Sequence, residues 1–220
     1  MNISIICSDT LHPIYPLLER WKNTHNQHHS IQLVSRKQDL THGDILFLIS
    51  CHEVIGNEIR KNFSKTLVIH ASDLPYGRGW SPHIWHILEG KNQFMVSLIE
   101  AEDKIDTGAI WKKIAIHIGP DELFDEINSK LFDVELELMD FAIDQFKSIH
   151  PQSQPDTGAT YYRKRTPEDS RIDPYKTISE QFDLIRISDP DRYPAFFDYN
   201  GYRYNIHFEK VGPSTSHGKN

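Results

Sequence analysis

The sequence predicts an α/β protein: a mostly parallel sheet flanked by helices, followed by a small α+β unit containing a β-hairpin. Three observations predict it. Short, almost wholly apolar runs recur at residues 3–7, 44–49 and 66–69, the pattern of strands covered on both faces. Between them lie stretches of mixed apolar and charged residues, 17–22 and 54–63, that suit helices lying on a sheet. Past residue 150 the chain becomes polar and proline-bearing, then ends in two strand-like runs joined by Asn200-Gly201, a strong hairpin signal.

Taken in order, the first strand is closed by Ser8-Asp9, and the second and third follow at residues 44–49 and 66–69. Residues 94–99 and 110–118 read as two more strands, with a turn at Asp106-Thr107-Gly108 between them. The longest helix is expected over 121–149. There Leu123, Ile127, Leu131, Val134, Leu138, Phe141 and Ile143 recur near the helical period behind the start signal Pro120-Asp121. Residues 1–150 are thus expected to form the main domain, 151–159 a linker and 160–212 a small C-terminal subdomain, with 213–220 a disordered tail. Within the subdomain a helix is expected at 177–186 and strands at 195–199 and 202–211.

With 220 residues the chain can bury a core without disulfides or metal. Lys and Arg number 24 against 31 Asp and Glu, and the net charge of -7 opposes the phosphate attraction on which nucleic-acid binders rely. A small ligand is the better expectation. Cys7 and Cys51 sit in or beside apolar runs and read as free thiols. The opening MNISIICSDT lacks the basic flank and long apolar stretch of a signal peptide, and no segment approaches the roughly 20 apolar residues of a membrane span. A cytoplasmic protein that binds no membrane is expected. His25, His28 and His29 lie in a polar loop that no cysteine or carboxylate completes, so no metal site is expected. Gly77-Arg78-Gly79 has no following Lys-Ser/Thr and is not a phosphate-cradling loop.

The informative stretch is residues 68–110. His70 lies where an apolar strand ends, the position at which open α/β sheets present ligand-binding groups. Pro75, Gly77, Gly79 and Pro82 then force an irregular loop, in which Tyr76, Arg78 and Trp80 offer a cation and two aromatic faces. Such side chains serve ligand contact and self-packing equally. Asp106 follows in a second loop. By residue chemistry alone a strand-end imidazole is more often structural, and Asp106 is an ordinary turn former.

The pattern H-x-S-x-L-P-x-x-x-G-x-x-P-x-x-W is carried by His70, Ser72, Leu74, Pro75, Gly79, Pro82 and Trp85. Together with D-T-G-x-I at Asp106, Thr107, Gly108 and Ile110 it resembles the folate-dependent formyltransferases. That family includes glycinamide ribonucleotide transformylase, methionyl-tRNA formyltransferase and the nucleotide-sugar N-formyltransferases. The resemblance implies a Rossmann-like domain in which His70 stabilises an oxyanion, while Asp106 orients the imidazole and helps move a proton. It implies 10-formyltetrahydrofolate as formyl donor, held near Ser50, Cys51, His52, Val54, Ile55, Glu102, Lys104 and Ile105. The acceptor would meet Ser72, Tyr76, Arg78, Gly79, Trp80, Ser81, Arg165 and Arg171.

The tail, with RTPEDSRID and RYPAFF, resembles segments of the sugar and tRNA enzymes. Residues 155–220 nevertheless carry ten acidic and ten Lys or Arg residues, a net of zero that disfavours tRNA. The implied acceptor is a nucleotide-linked amino sugar, a UDP- or dTDP-4-amino-4,6-dideoxyhexose of the kind made for surface glycans or nonulosonic acids. A homodimer is one assembly the resemblance allows. One departure stands out: the family carries Asn-x-His, its amide helping to hold the formyl oxygen, and here that position is Val68. Ser50, His52, a protonated His70 or a water are the substitutes considered. The alternative is a folate- or nucleotide-binding module that has lost turnover, or a formyltransferase acting on another amine.

Overall fold

The computed structural model describes residues 1–155 and 157–213. Most of the stretch expected to be a disordered tail lies outside the described residues. The main unit runs β1 (Asn2–Ile6), α1 (Tyr15–His25), β2 (Ser30–Val34), β3 (Gly43–Leu48), α2 (Asn57–Arg60) and β4 (Phe63–His70). It continues with β5 (Arg78–Gly79), α3 (Pro82–Leu88), β6 (Gln93–Glu100), β7 (Ile110–His117) and α4 (Phe124–Gln145). After it come β8 (Tyr161–Tyr162), α5 (Phe182–Arg186), β9 (Ala195–Tyr199) and β10 (Tyr202–Ile206).

Six strands form one sheet in the order β2-β1-β3-β4-β6-β7. The first four are mutually parallel, whereas β6 and β7 run antiparallel to their neighbours. The result is the expected Rossmann-like α/β sheet. Side chains alternate across it: Ile3, Ile5, Ile45 and Phe47 join the large core under α1 and α4, while Ile6 and Leu46 pack with Ile55 and Phe63 on the other face. Both faces are therefore dry, which explains the unbroken apolar runs.

Several elements differ from expectation. β2 was not expected, because SIQLV follows a polar loop and forms the edge of the sheet, where only Ile31 is fully buried. Of the helix expected at 54–63 only α2 forms, since Gly56 is extended (ψ 171°) and Phe63 already belongs to β4. α3 replaces the end of the expected irregular loop, its seven residues too few to show a helical period. The expected helix at 177–186 is divided by Gln181 (φ −118°) into a 3-10 turn, Ser179–Gln181, and α5. The second hairpin strand is shorter than 202–211.

The C-terminal unit has its own small core of Ile172, Ile185 and Ala195 and an antiparallel β9–β10 hairpin turning at Asn200-Gly201, both at positive φ. It is fastened to the main unit by Arg186, which donates to the Gly119 and Glu122 carbonyls (2.9 and 3.0 Å), and by the Arg192–Asp9 ion pair (2.6 Å). Between the units, Gln152 exchanges two backbone hydrogen bonds with Ile110 (2.7 and 2.8 Å), and β8 pairs in parallel with β5. The crossing therefore braces the loop after His70.

Candidate active site

His70 is the last residue of β4 and is buried. Its Nε2 donates to the Gly77 carbonyl at 2.8 Å, and its Nδ1 faces Asp106 Oδ1 at 3.6 Å, longer than a hydrogen bond. The other carboxylate oxygen, Oδ2, accepts from the Gly79 N–H at 2.8 Å. Asp106 itself is in the left-handed region (φ 57°). What holds it there is Gln154, whose amide donates to the carbonyls of Asp106 and Gly108 (both 2.9 Å) while its oxygen accepts from Arg78 (2.6 Å). The two glycines of the motif have mechanical reasons. A Cβ on Gly108 would stand 1.8 Å from the Glu100 carbonyl oxygen, and one on Gly79 (φ 98°) 2.3 Å from that of Tyr162.

His70 opens onto a cleft of about 520 Å³ at the C-terminal ends of the parallel strands, where open α/β sheets take ligands. One wall is Ser50, His52 and the loop from Gly79 to His83. The facing wall is one side of α4, on which Phe124, Asn128, Leu131, Phe132 and Glu135 recur three or four apart, and the C-terminal unit closes the cleft with Lys164, Arg165 and residues 187–193. Burial controls the ionisable groups here. The Glu135 carboxyl, which has no hydrogen-bond or ion-pair partner among the described residues, is pushed up to about 8 by desolvation alone. Burial, then the nearby Arg192, pulls His12 down to about 4, and burial, then His70, pulls His83 down to about 3. All three are thereby uncharged at neutral pH.

Of the residues expected to contact ligands, Ser50, His52, Gly79, Trp80, Ser81 and Arg165 line this cleft. Cys51 is half-buried beside Ser8 Oγ (3.8 Å), its thiol pushed up by burial. Val54 and Ile105 are exposed apolar side chains (77% and 65%), whereas the side chain of Ile55 is committed to the second core. Glu102 and Lys104 line a separate polar recess of about 480 Å³ with Thr107 and Gln154. Ser72 is fully buried outside the cleft, and Tyr76 stands exposed beside Gly158. Arg78 is buried and committed to Gln154 and Tyr161. Arg171 pairs with Glu168 and Asp198 and lies over the Phe196 ring (4.8 Å). Sequence reasoning missed His12, His83, Asn128 and Glu135. For Asn128 and Glu135 a signal existed: two polar residues on the apolar side of a long helix.

The solved structures most alike include a methionyl-tRNA formyltransferase from Clostridium thermocellum, 27% identical with a TM-score of 0.81, where 97% of this chain covers 95% of that one. A sugar N-formyltransferase from a Shewanella species is 15% identical (TM-score 0.71; 96% of this chain, 99% of that one). HypX from Aquifex aeolicus in complex with tetrahydrofolic acid is 19% identical (TM-score 0.71; 91% of this chain, 36% of that one). The last two likenesses are of fold alone. The family model described as formyl transferase matches residues 12–143, which include β4, the His70 loop, Asp106 and nearly all of α4. The chain belongs to the formyl transferase family.

Proposed function

We propose that this chain transfers a formyl group from 10-formyltetrahydrofolate to the amine of a nucleotide-linked amino sugar, a UDP- or dTDP-linked 4-amino-4,6-dideoxyhexose. The donor fits the residues present. Among the described residues the backbone N–H groups of Cys51, Val54 and Ile55 make no hydrogen bond, and Val54 projects an exposed apolar side chain beside them. A planar ring with polar edges asks for that combination of backbone donors and an apolar surface. 10-Formyltetrahydrofolate supplies an activated formyl carbon and a nitrogen that leaves.

The chain's own groups then act as follows. Asp106, fixed by Gly79 and Gln154, keeps the imidazole turned toward it and takes part in moving the proton off the attacking amine. His70 stabilises negative charge developing on the formyl oxygen, for which its Nε2 must leave the Gly77 carbonyl or its ring must shift toward the cleft. The uncharged Glu135 and His12 keep the lining of the cleft suited to an uncharged amine, the form that can attack.

The acceptor class rests on one observation above all, the cations at the cleft mouth. Arg165 is half-buried and, among the described residues, donates only to the Asp169 carbonyl and Ser170 Oγ, while its Nε is sealed without a partner. Lys164 lies over the Trp80 ring at 4.5 Å. Two cations beside an exposed aromatic face suit a diphosphate and the ring attached to it. The likeness to a methionyl-tRNA formyltransferase favours a second reading, an aminoacyl-tRNA amine, against which the uncharged balance of residues 155–220 argues. The test is to supply 10-formyltetrahydrofolate with nucleotide-linked 4-amino sugars or with methionyl-tRNA and follow tetrahydrofolate release. Turnover on the sugars is expected. Turnover on methionyl-tRNA alone overturns the reading, and folate binding without turnover on any acceptor favours a module without catalysis.

A further inference from the structure

Val68 lies two residues before His70 on β4, on the same side of the strand, and its side chain offers the formyl oxygen no hydrogen bond. A second donor beside His70 would take the place of the family's amide. Asn128 belongs to the facing wall, on α4 with Leu131, Phe132 and Glu135. His52 is exposed and tilted against Trp80 (6.1 Å), so water competes for its ring. His83 is different. It follows the loop that Gly79 anchors, at the start of α3, and packs at 5.8 Å against Phe94, just past the end of β4 where β6 enters its pairing. Its Nδ1 is sealed from solvent with no partner. His83 lines the cleft, and its Nε2, which makes no hydrogen bond among the described residues, is not sealed as Nδ1 is. A proton on Nδ1 would be a buried, unpaired donor, so the ring carries it on Nε2.

We propose that His83 supplies, through Nε2–H, the hydrogen bond to the formyl oxygen that the family's amide makes and that Val68 cannot. This rests on the formyl-transfer reading above. Burial keeps the ring uncharged, and a neutral imidazole is a competent donor to a carbonyl oxygen on its way to bearing charge.

The test is a binding measurement that needs no acceptor. Affinities for 10-formyltetrahydrofolate and for tetrahydrofolate are measured by calorimetry on the intact chain. The wild type is expected to prefer the formylated molecule by about two- to tenfold, the worth of one neutral hydrogen bond. His83→Leu abolishes that preference while tetrahydrofolate binding is unchanged, and His83→Gln, which keeps an N–H, retains part of it. Adding Val68→Asn to His83→Leu restores it. If His83→Leu melts well below the wild type, His83→Phe, which keeps a ring against Phe94, takes its place. A preference that survives in the Leu and Phe variants overturns this inference alone. A wild-type chain that binds neither folate overturns the folate reading and this one with it.

Discussion

On the β4 side of the cleft the groups nearest the chemistry are held by partners: His70 by Gly77, Asp106 by Gly79, and the Asp106–Gly108 turn by Gln154. On the opposite side, among the described residues, Glu135 is unpaired on α4, and Arg165 is only partly satisfied, its Nε sealed without an acceptor while a terminal nitrogen donates to Asp169 and Ser170. The first arrangement fixes Asp106 and its turn, so that the movement needed when charge develops is confined to the His70 ring leaving the Gly77 carbonyl. The second carries the energetic cost of unpaired polar groups, and a ligand in the cleft can relieve that of Glu135, which lines it. On the proposed function the first wall would do chemistry and the second would recognise the acceptor, and substitutions on the two should fail in different ways.

The largest effect is expected at the held pair. His70→Ala and Asp106→Asn should each reduce turnover at least about a hundredfold, corresponding to roughly 2.7 kcal/mol or more of transition-state stabilisation. Folate affinity should hardly change, because groups acting only in the transition state leave ground-state binding intact. Steady-state kinetics beside direct folate binding makes the check. Near-normal turnover in either variant would remove that residue from the chemistry.

The two walls were unequally legible in the sequence. His70 and Asp106 could be named only because the motifs that carry them resemble those of the formyltransferases; two glycines of those motifs, Gly79 and Gly108, each stand against a carbonyl that leaves no room for a Cβ. The strands of the main sheet could be read because burial on both faces leaves unbroken apolar runs, and β2 escaped because an edge strand does not need them. What holds the site together was not legible. Gln154 reaches back 48 residues to Asp106, and Thr160 and Tyr162 accept from Arg78 and Trp80, pairings that no local pattern encodes. Nor could helical period reveal the recognition wall, since residues at the same spacing on α4 serve the core and line the cleft.

Glu135 offers the next effect, in stability rather than turnover. Its carboxyl is raised to about 8 in the folded chain and returns to the ordinary range near 4.5 on unfolding. Below that range both states hold the proton and nothing is lost. As pH rises from about 4.5 to 8 only the unfolded chain releases it, so the group costs progressively more stability. Glu135→Gln should therefore stabilise the chain at pH 8, on the order of 2 kcal/mol after allowing for the opening to the cleft, and by nothing near pH 4. Denaturant titrations at the two pH values test this. A gain that is the same at both would mean that Glu135 is not desolvated.

A smaller effect tests recognition directly. Arg165→Met should raise KM for a nucleotide-linked acceptor about tenfold, the scale of one charge-assisted hydrogen bond, while kcat stays within a factor of two. An equal fall in kcat and kcat/KM would instead move Arg165 to the chemical wall.

The smallest effect separates Arg165 from the other arginine of the same segment. Arg171 already has carboxylate partners in Glu168 and Asp198 and an aromatic face in Phe196, all within the C-terminal unit. Exposed ion pairs of this kind are worth about 0–1 kcal/mol, so Arg171→Met should lower the melting temperature slightly and leave KM and kcat unchanged. If KM for the acceptor rises as much as in Arg165→Met, the recognising surface extends past the cleft mouth onto the hairpin, and satisfied partners in the free chain cease to be a guide to which cations await a ligand.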